Sequence, residues 1–245
     1  MKTSTMFCIA AASVLIMSLM IYDNVLKAAL LNRNYTDEYA CYKNLSFKNF
    51  DAFEIPASQI ANIKFIQGPY GIKIAPGAIK HVQIQQNGTQ LQIGVKKGSP
   101  IFLNNDSFLL IISCPRIISI NISSMSVRDG QLIIDTTADE SPKGHYSLIK
   151  GFKQDSITIL QNYGSQVVLA GNHISFVKAV VGQSFRSASK ITILEDNHFE
   201  YANLQILNRS KLVLRNAEIT DLNYHLADSS QLVVNGAANN SLIKP

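Results

Sequence analysis

From residue 47 onward the chain alternates apolar and polar positions in short runs separated by turn-forming residues. Ile63-Lys64-Phe65-Ile66-Gln67 is followed by Gly68-Pro69-Tyr70-Gly71, and Ile72-Lys73-Ile74 by Pro76-Gly77. Val82-Gln83-Ile84-Gln85 leads through Asn87-Gly88 to Leu91-Gln92-Ile93-Gly94-Val95. A period of two bounded by Gly, Pro and Asn predicts strands joined by tight turns. Asn87-Gly88 is the pair that accepts a positive φ most cheaply. A continuous apolar strand is expected at 108–114, stopped by Pro115. Further strands are expected at 117–122, at 125–127, at 132–134 after an Asp129-Gly130 turn, at 146–152 and at 157–160. Residues 96–105 and 135–147 read as polar loops.

In the last third the pattern becomes a repeat. Ser165-Gln166-Val167-Val168-Leu169 is echoed by Ser189-Lys190-Ile191-Thr192-Ile193, Ser210-Lys211-Leu212-Val213-Leu214 and Ser230-Gln231-Leu232-Val233-Val234. The serines are 24, 21 and 20 residues apart. A second apolar run per repeat, opened by Ile174, Phe199 and Ile219, keeps the same spacing. Two strands in each 20–25 residues leave no room for crossover helices. A near-regular period with strands in every copy predicts a solenoid, here a parallel β-helix whose inward apolar residues form ladders. A β-sandwich also has evenly spaced short strands, but it does not require equivalent residues to recur. The all-β domain is expected over residues 47–245, with 237–240 closing its last coil.

The N-terminus breaks the pattern. Residues 6–22 are apolar and uncharged, preceded by Lys2. As a helix this run reaches about 25 Å, near the lower limit for crossing a bilayer. Residues 1–22 are therefore expected to be a membrane anchor or a signal peptide. No small-x-small cleavage site follows the run, which favours an uncleaved single-pass anchor. Residues 23–46 form a connector, partly helical over 24–31. Lys27 and Arg33, offset by Asp23, nearly balance Lys2 across the membrane. The bulk of the chain is expected outside the cytoplasm, on the periplasmic or cell-surface side.

Composition changes this picture little. Hydrophobic residues make up 47% of the chain, enough for a packed core, and charged residues only 16%. The net charge of +5 is spread along the chain rather than clustered, so no nucleic-acid partner is expected. Cys8, Cys41 and Cys114 show no metal-binding spacing. Free thiols are expected, with a Cys41–Cys114 disulfide as the alternative.

Candidate chemistry is sparse. The repeated serines Ser165, Ser189, Ser210 and Ser230 are expected at one corner, capping backbone groups. Asn172-His173, Asn197-His198 and Glu218 fall at equivalent places, where they could stack; solvated corners are expected there rather than a metal site. Asp135, Asp139 and Glu140 lie near Lys143 and His145, and paired acids could serve a lyase or glycosidase. Tyr70, Phe102, Phe108, Tyr146, Phe152 and Phe185 could stack on sugars, although core packing is the ordinary fate of such side chains. No nucleophile triad, HExxH, P-loop or GxGxxG occurs. No catalytic, cofactor-binding or metal-ligating residue is assigned, and no cofactor is expected.

The order of elements resembles a known family, the auto-transporter adhesin head GIN domains of Bacteroidetes. The matching segments are Phe50-Asp51-Ala52-Phe53-Glu54-Ile55, residues 63–74, Asn87-Gly88-Thr89-Gln90-Leu91-Gln92-Ile93, Leu110-Ile111-Ile112-Ser113-Cys114-Pro115 and Ile120-Asn121-Ile122. The resemblance spans roughly residues 47–236. It implies a single-stranded right-handed β-helix at the cell envelope and no established enzymatic activity. Two departures stand out: Ile122-Ser123-Ser124-Met125-Ser126 replaces the family's Gly-rich step, and an anchor-like helix replaces a cleaved or lipidated start. The expected function is a non-enzymatic binding, adhesin-like or scaffold module, with a glycan or an envelope protein as partner. A carbohydrate-active β-helix enzyme and a regulatory membrane protein are the alternatives.

Overall fold

The computed structural model describes residues 3–31, 38–58, 61–96, 99, 108–128, 131–138, 144–236 and 238. The chain divides into two units, Met1–Tyr42 and Lys43–Pro245. The first is dominated by one helix, α1 (Thr3–Leu31), of which Thr5–Ala28 is long and apolar enough to cross a membrane. Three of its polar side chains turn back on the helix. Ser13 Oγ donates to Ile9 O at 2.9 Å, Ser18 Oγ to Leu15 O at 2.9 Å and Asn24 Nδ2 to Met20 O at 2.9 Å. Bonds of this kind satisfy polar groups where no water is available to do so.

The second unit is built of strands. In chain order they begin β1 (Lys43–Leu45), β2 (Ala52–Ile55), β3 (Ile63–Gln67), β4 (Gly71–Ile74), β5 (Val82–Asn87) and β6 (Gln90–Val95). Next come β7 (Leu110–Cys114), β8 (Ser119–Ile122), β9 (Met125–Arg128), β10 (Gln131–Ile134), β11 (Ser147–Lys150) and β12 (Lys153–Gln161). The last are β13 (Gln166–Ala170), β14 (His173–Val181), β15 (Lys190–Ile193), β16 (His198–Ile206), β17 (Lys211–Arg215), β18 (Glu218–Leu226) and β19 (Gln231–Asn235). They form a nine-stranded sheet ordered β1-β4-β7-β3-β11-β13-β15-β17-β19 and an eight-stranded sheet ordered β18-β16-β14-β12-β8-β2-β6-β5. A separate two-stranded sheet pairs β9 with β10.

Over residues 147–235 the repeat pattern becomes geometry. Strands alternate between the two large sheets, and each pairs in parallel with the equivalent strand one repeat away. Val167, Ile191, Leu212 and Leu232 share one register position, and Leu169, Ile193, Leu214 and Val234 another. Facing them, Val177, Ala202 and Leu222 are aligned, as are Val181, Ile206 and Leu226. Nearly all of these side chains are buried; those of the last strands, β18 and β19, are less so.

The first half differs from the expected uniform parallel stack: the sheets are mixed. β4 runs antiparallel to both β1 and β7, and β5 antiparallel to β6. The reason lies in the connections. A two-residue loop, Gly88-Thr89, can only reverse the chain, and Gly88 takes φ 60° to do so. β3 and β4 are separated by three residues, yet they flank β7 on opposite sides. Here the core is aromatic. Phe50, Phe53 and Phe65 are buried, with ring centroids 5.8 Å apart for Phe50–Phe53 and 4.9 Å for Phe53–Phe65, both edge-on.

Left-handed residues mark one corner of successive coils. Gly151 (φ 76°), Gly171 (61°), Asp196 (68°) and Asn216 (51°) each precede a buried residue, namely Phe152, Asn172, Asn197 and Ala217. Glycine, asparagine and aspartate adopt this conformation at least cost. The two buried asparagines stitch neighbouring coils. Asn197 Oδ1 accepts from Asn172 N at 3.1 Å and from Asn172 Nδ2 at 2.9 Å, while Asn197 Nδ2 donates to Leu169 O and Leu194 O.

The expected serine corner is present, with Ser165, Ser189 and Ser210 buried and Ser230 half-buried. Ser189 Oγ donates to Tyr163 O at 2.7 Å, Ser210 Oγ accepts from Ser189 N at 3.1 Å, and Ser230 Oγ donates to Ala227 O at 2.7 Å. Cys8 and Cys41 are exposed free thiols; Cys114 is buried and free, so the alternative disulfide is not formed. Of the expected closing segment, residues 237, 239 and 240 lie outside the described residues, as do the Asp129-Gly130 turn and most of loop 96–105.

Candidate functional site

Alternation in the strands puts half of each sheet's side chains outward. On the eight-stranded sheet the outward positions align across strands far apart in sequence. One row runs Gln85, Gln92, Glu54, Asn121, Leu160, Val180, Gln205, His225. Beside it runs Asn87, Gln90, Ala52, Ser119, Thr158, Lys178, Asn203, Asn223. Four of the eight residues in the first row are amides, and six of the eight in the second are amides or hydroxyls. Each amide offers a donor and an acceptor on one rigid plane. Near the β5 end a depression of about 510 Å³ is lined by Glu54, Gln85, Gln86, Asn87, Gln90 and Gln92.

At the other end of the sheet, strands β14, β16 and β18 bend after their second residue, where Ser175, Glu200 and Thr220 drop out of the pairing register. The bend leaves a second depression of about 230 Å³ against His173, His198, Glu200, Glu218 and Thr220. His173, His198 and Glu218 stand in one register row, as their spacing predicts. The imidazole centroids are 4.5 Å apart, and His198 Nδ1 lies 2.6 Å from Glu218 Oε2. Among the described residues no group of three His, Cys, Asp or Glu side chains is placed to hold a metal ion. The row is exposed, and the His198 imidazole meets the Glu218 carboxylate at its end.

Beyond the bend, Phe176 stacks on Tyr201, centroids 5.3 Å apart and planes within 4°. Phe176 is 38% exposed. This stacked pair escapes the sequence reading, although its spacing of 25 equals that of His173 and His198. The aromatic residues singled out earlier do not assemble. Phe152 is fully buried, Tyr70 packs edge-on to Phe50, Phe108 packs edge-on to Tyr146, and Phe185 stands apart at 80% exposure. Phe102 lies outside the described residues.

The carboxylate loop is only partly described. Asp135 Oδ1 accepts from Thr137 N at 3.0 Å, a local turn, and its backbone carbonyl accepts from Gly164 N. Asp139, Glu140 and Lys143 lie outside the described residues. Asp51, by contrast, is buried and accepts from Arg116 Nη2 at 3.0 Å beside Cys114. Burial, with the Asp51 charge adding to it, pushes the Cys114 thiol up to about 12, so this cysteine is a core residue rather than a nucleophile.

No family model matches the sequence, and no curated protein matches it. Solved structures do. A crystal structure of a "putative adhesin" from Parabacteroides distasonis ATCC 8503 is 10% identical, with a TM-score of 0.57 over 78% of this chain and 71% of that one. A "putative adhesin" from Bacteroides fragilis NCTC 9343 is 12% identical, with a TM-score of 0.37 over 79% of this chain and 96% of that one. Another, from Parabacteroides merdae ATCC 43184, is 10% identical, with a TM-score of 0.31 over 80% and 95%. The first likeness shows a shared fold, a mostly β domain with mixed sheets.

Proposed function

We propose that the chain is a non-enzymatic protein of the bacterial cell envelope whose eight-stranded face binds a polyhydroxylated ligand, a glycan. In this reading α1 anchors it, and the β domain, on the periplasmic or cell-surface side, carries over residues 147–235 a single-stranded right-handed parallel β-helix of the GIN-domain kind. The observation that carries it is the pair of outward rows, rich in amides and hydroxyls, that keep register across eight strands. Sugar hydroxyls need donors and acceptors side by side, and a face whose polar groups are mostly uncharged supplies them with less desolvation cost than charged groups. The stacked Phe176–Tyr201 pair adds an apolar surface for the C–H face of a sugar ring. The fold shared with an adhesin-named structure supports the same reading.

Full-length chain in detergent on a glycan array tests it. The double substitution Gln92→Arg with Gln205→Arg is expected to weaken retention at least about tenfold, equivalent to about 1.4 kcal/mol. Lys190→Ala, on the nine-stranded sheet, is expected to leave retention unchanged. If no glycan is retained while a protein partner is captured reproducibly, the face is a scaffold surface instead.

A further inference from the structure

One corner of the β domain plays no part in the binding face. The β9–β10 hairpin stands outside both large sheets. Val127 and Leu132 are 59% exposed, Ile133 and Ile134 40%. Leu132 and Ile133 point to opposite faces, so neither face of the hairpin is covered. An isolated two-stranded ribbon with both faces in water is marginal on its own.

The hairpin has an apolar neighbour. After β10 the backbone turns back, and Thr136 O accepts a hydrogen bond from Ala188 N at 2.8 Å. This ties the chain just after β10 to the residue that follows the turn over residues 182–187, where Phe185 is 80% exposed. Arg186, held at φ 64°, places its guanidinium 5.4 Å from the Phe185 ring centroid. Arg209 reaches the same turn, donating from Nη2 to Arg186 O at 3.1 Å. The exposed aromatic and two arginines therefore sit on one turn, and the residue after that turn is bonded to the chain two residues beyond the exposed Ile134.

The geometry points to a docking surface for the lipid bilayer. We propose that Phe185 and the hairpin aliphatics dip into the interface while Arg186 and Arg209 meet the lipid phosphates. Three observations select a bilayer over a protein partner. The apolar groups project rather than line a groove. Cations flank them, as interfacial segments require. And the chain has its own route to a membrane, because eleven residues join α1 to β1. At full extension that link reaches at most about 40 Å, which makes contact with the bilayer an intramolecular event of high effective concentration. The proposal rests on reading α1 as an anchor, and its test separates the two.

The chain contains no tryptophan, so each substitution below supplies a single reporter. Full-length Phe185→Trp, Leu132→Trp and, as a control on the binding face, Phe176→Trp are reconstituted into vesicles of about four parts phosphatidylcholine to one part phosphatidylglycerol. Flotation with the vesicles reads anchoring alone. Docking predicts that Phe185→Trp and Leu132→Trp shift to the blue and lose most of their emission to brominated lipid, while Phe176→Trp keeps water-exposed, unquenched emission. Water-exposed, unquenched emission from both corner reporters in chains that float overturns docking and leaves the anchor standing. Blue-shifted emission that brominated lipid does not quench, and that reverts as protein is diluted in lipid, also overturns it and identifies a second copy as the partner. Chains that fail to float remove the anchor, and the docking proposal with it.

Discussion

The two halves of the β domain close the same kind of structure by different means. Residues 147–235 stack in parallel, with aliphatic ladders inside and asparagine and serine bonds at the corners. Residues 43–95 and 108–122 include antiparallel strands and centre on interlocked phenylalanines. Where each layer repeats the last, one small solution serves every coil. Where the chain must reverse direction, the layers differ in shape, and large adaptable rings fill the space. The halves are joined by parallel pairing of β3 with β11 and of β8 with β12, and two glutamines reinforce the seam. Gln67 Nε2 donates to Pro115 O and Lys153 O, and its Oε1 accepts from Lys153 N. Gln154 exchanges two bonds with the backbone of Ile117.

This contrast has consequences that can be measured. Truncating a ring in the aromatic half removes contacts with several neighbours at once. Phe53→Ala is expected to cost about 3–5 kcal/mol, read as a lowered denaturant midpoint. If both halves unfold as one unit, probes in residues 147–235 follow the same transition; two separate transitions would show that the β3–β11 and β8–β12 pairings and the bonds of Gln67 and Gln154 do not couple them. In the repetitive half the sensitive point is polar. Asn197→Ala leaves Asn172 N and the Leu169 and Leu194 carbonyls short of a side-chain partner, and about 1–3 kcal/mol of destabilisation is expected. Outward Asn203→Ala should stay within about 0.5 kcal/mol; an equal loss at both positions would mean that the corner ladder contributes nothing special.

The smallest effect concerns pH. The folded state holds the Cys114 proton up to about 12, against 9.0 as the ordinary value. A thiol whose acidity is weakened by folding favours the folded state below its unfolded pKa, and that contribution drains away as pH rises from about 9 toward 12. The stability gap between the wild type and Cys114→Ala should therefore narrow from about pH 8 to about pH 10. A gap independent of pH would place the thiol in contact with water.

How far the structure could be read beforehand follows the same divide. In residues 147–235 neighbours in space are neighbours in the repeat, so Ser189 next to Ser210, or His173 next to His198, is legible from spacing alone. In the first half the sheet order β12-β8-β2-β6 brings together Leu160, Asn121, Glu54 and Gln92, which no local period relates. The amide rows of the candidate site are invisible for that reason. The corner conformation was within reach: Gly151, Gly171, Asp196 and Asn216 recur at 20, 25 and 20 residues, and their residue types declare the left-handed backbone. The apolar run at the N-terminus was legible as a helix able to cross a membrane, because hydrophobicity without amphipathic alternation leaves few other outcomes.

Those left-handed corners also govern how this chain can change over time. A single inserted residue between two of them would slip a strand by one position and turn its inward side chains to water. An insertion of one whole coil, corner to corner, would leave every pairing intact and simply lengthen the stack. Each added coil would widen the outward rows by one more residue, so the reach of the outward face is a copy number, adjustable by duplication without redesign of any contact.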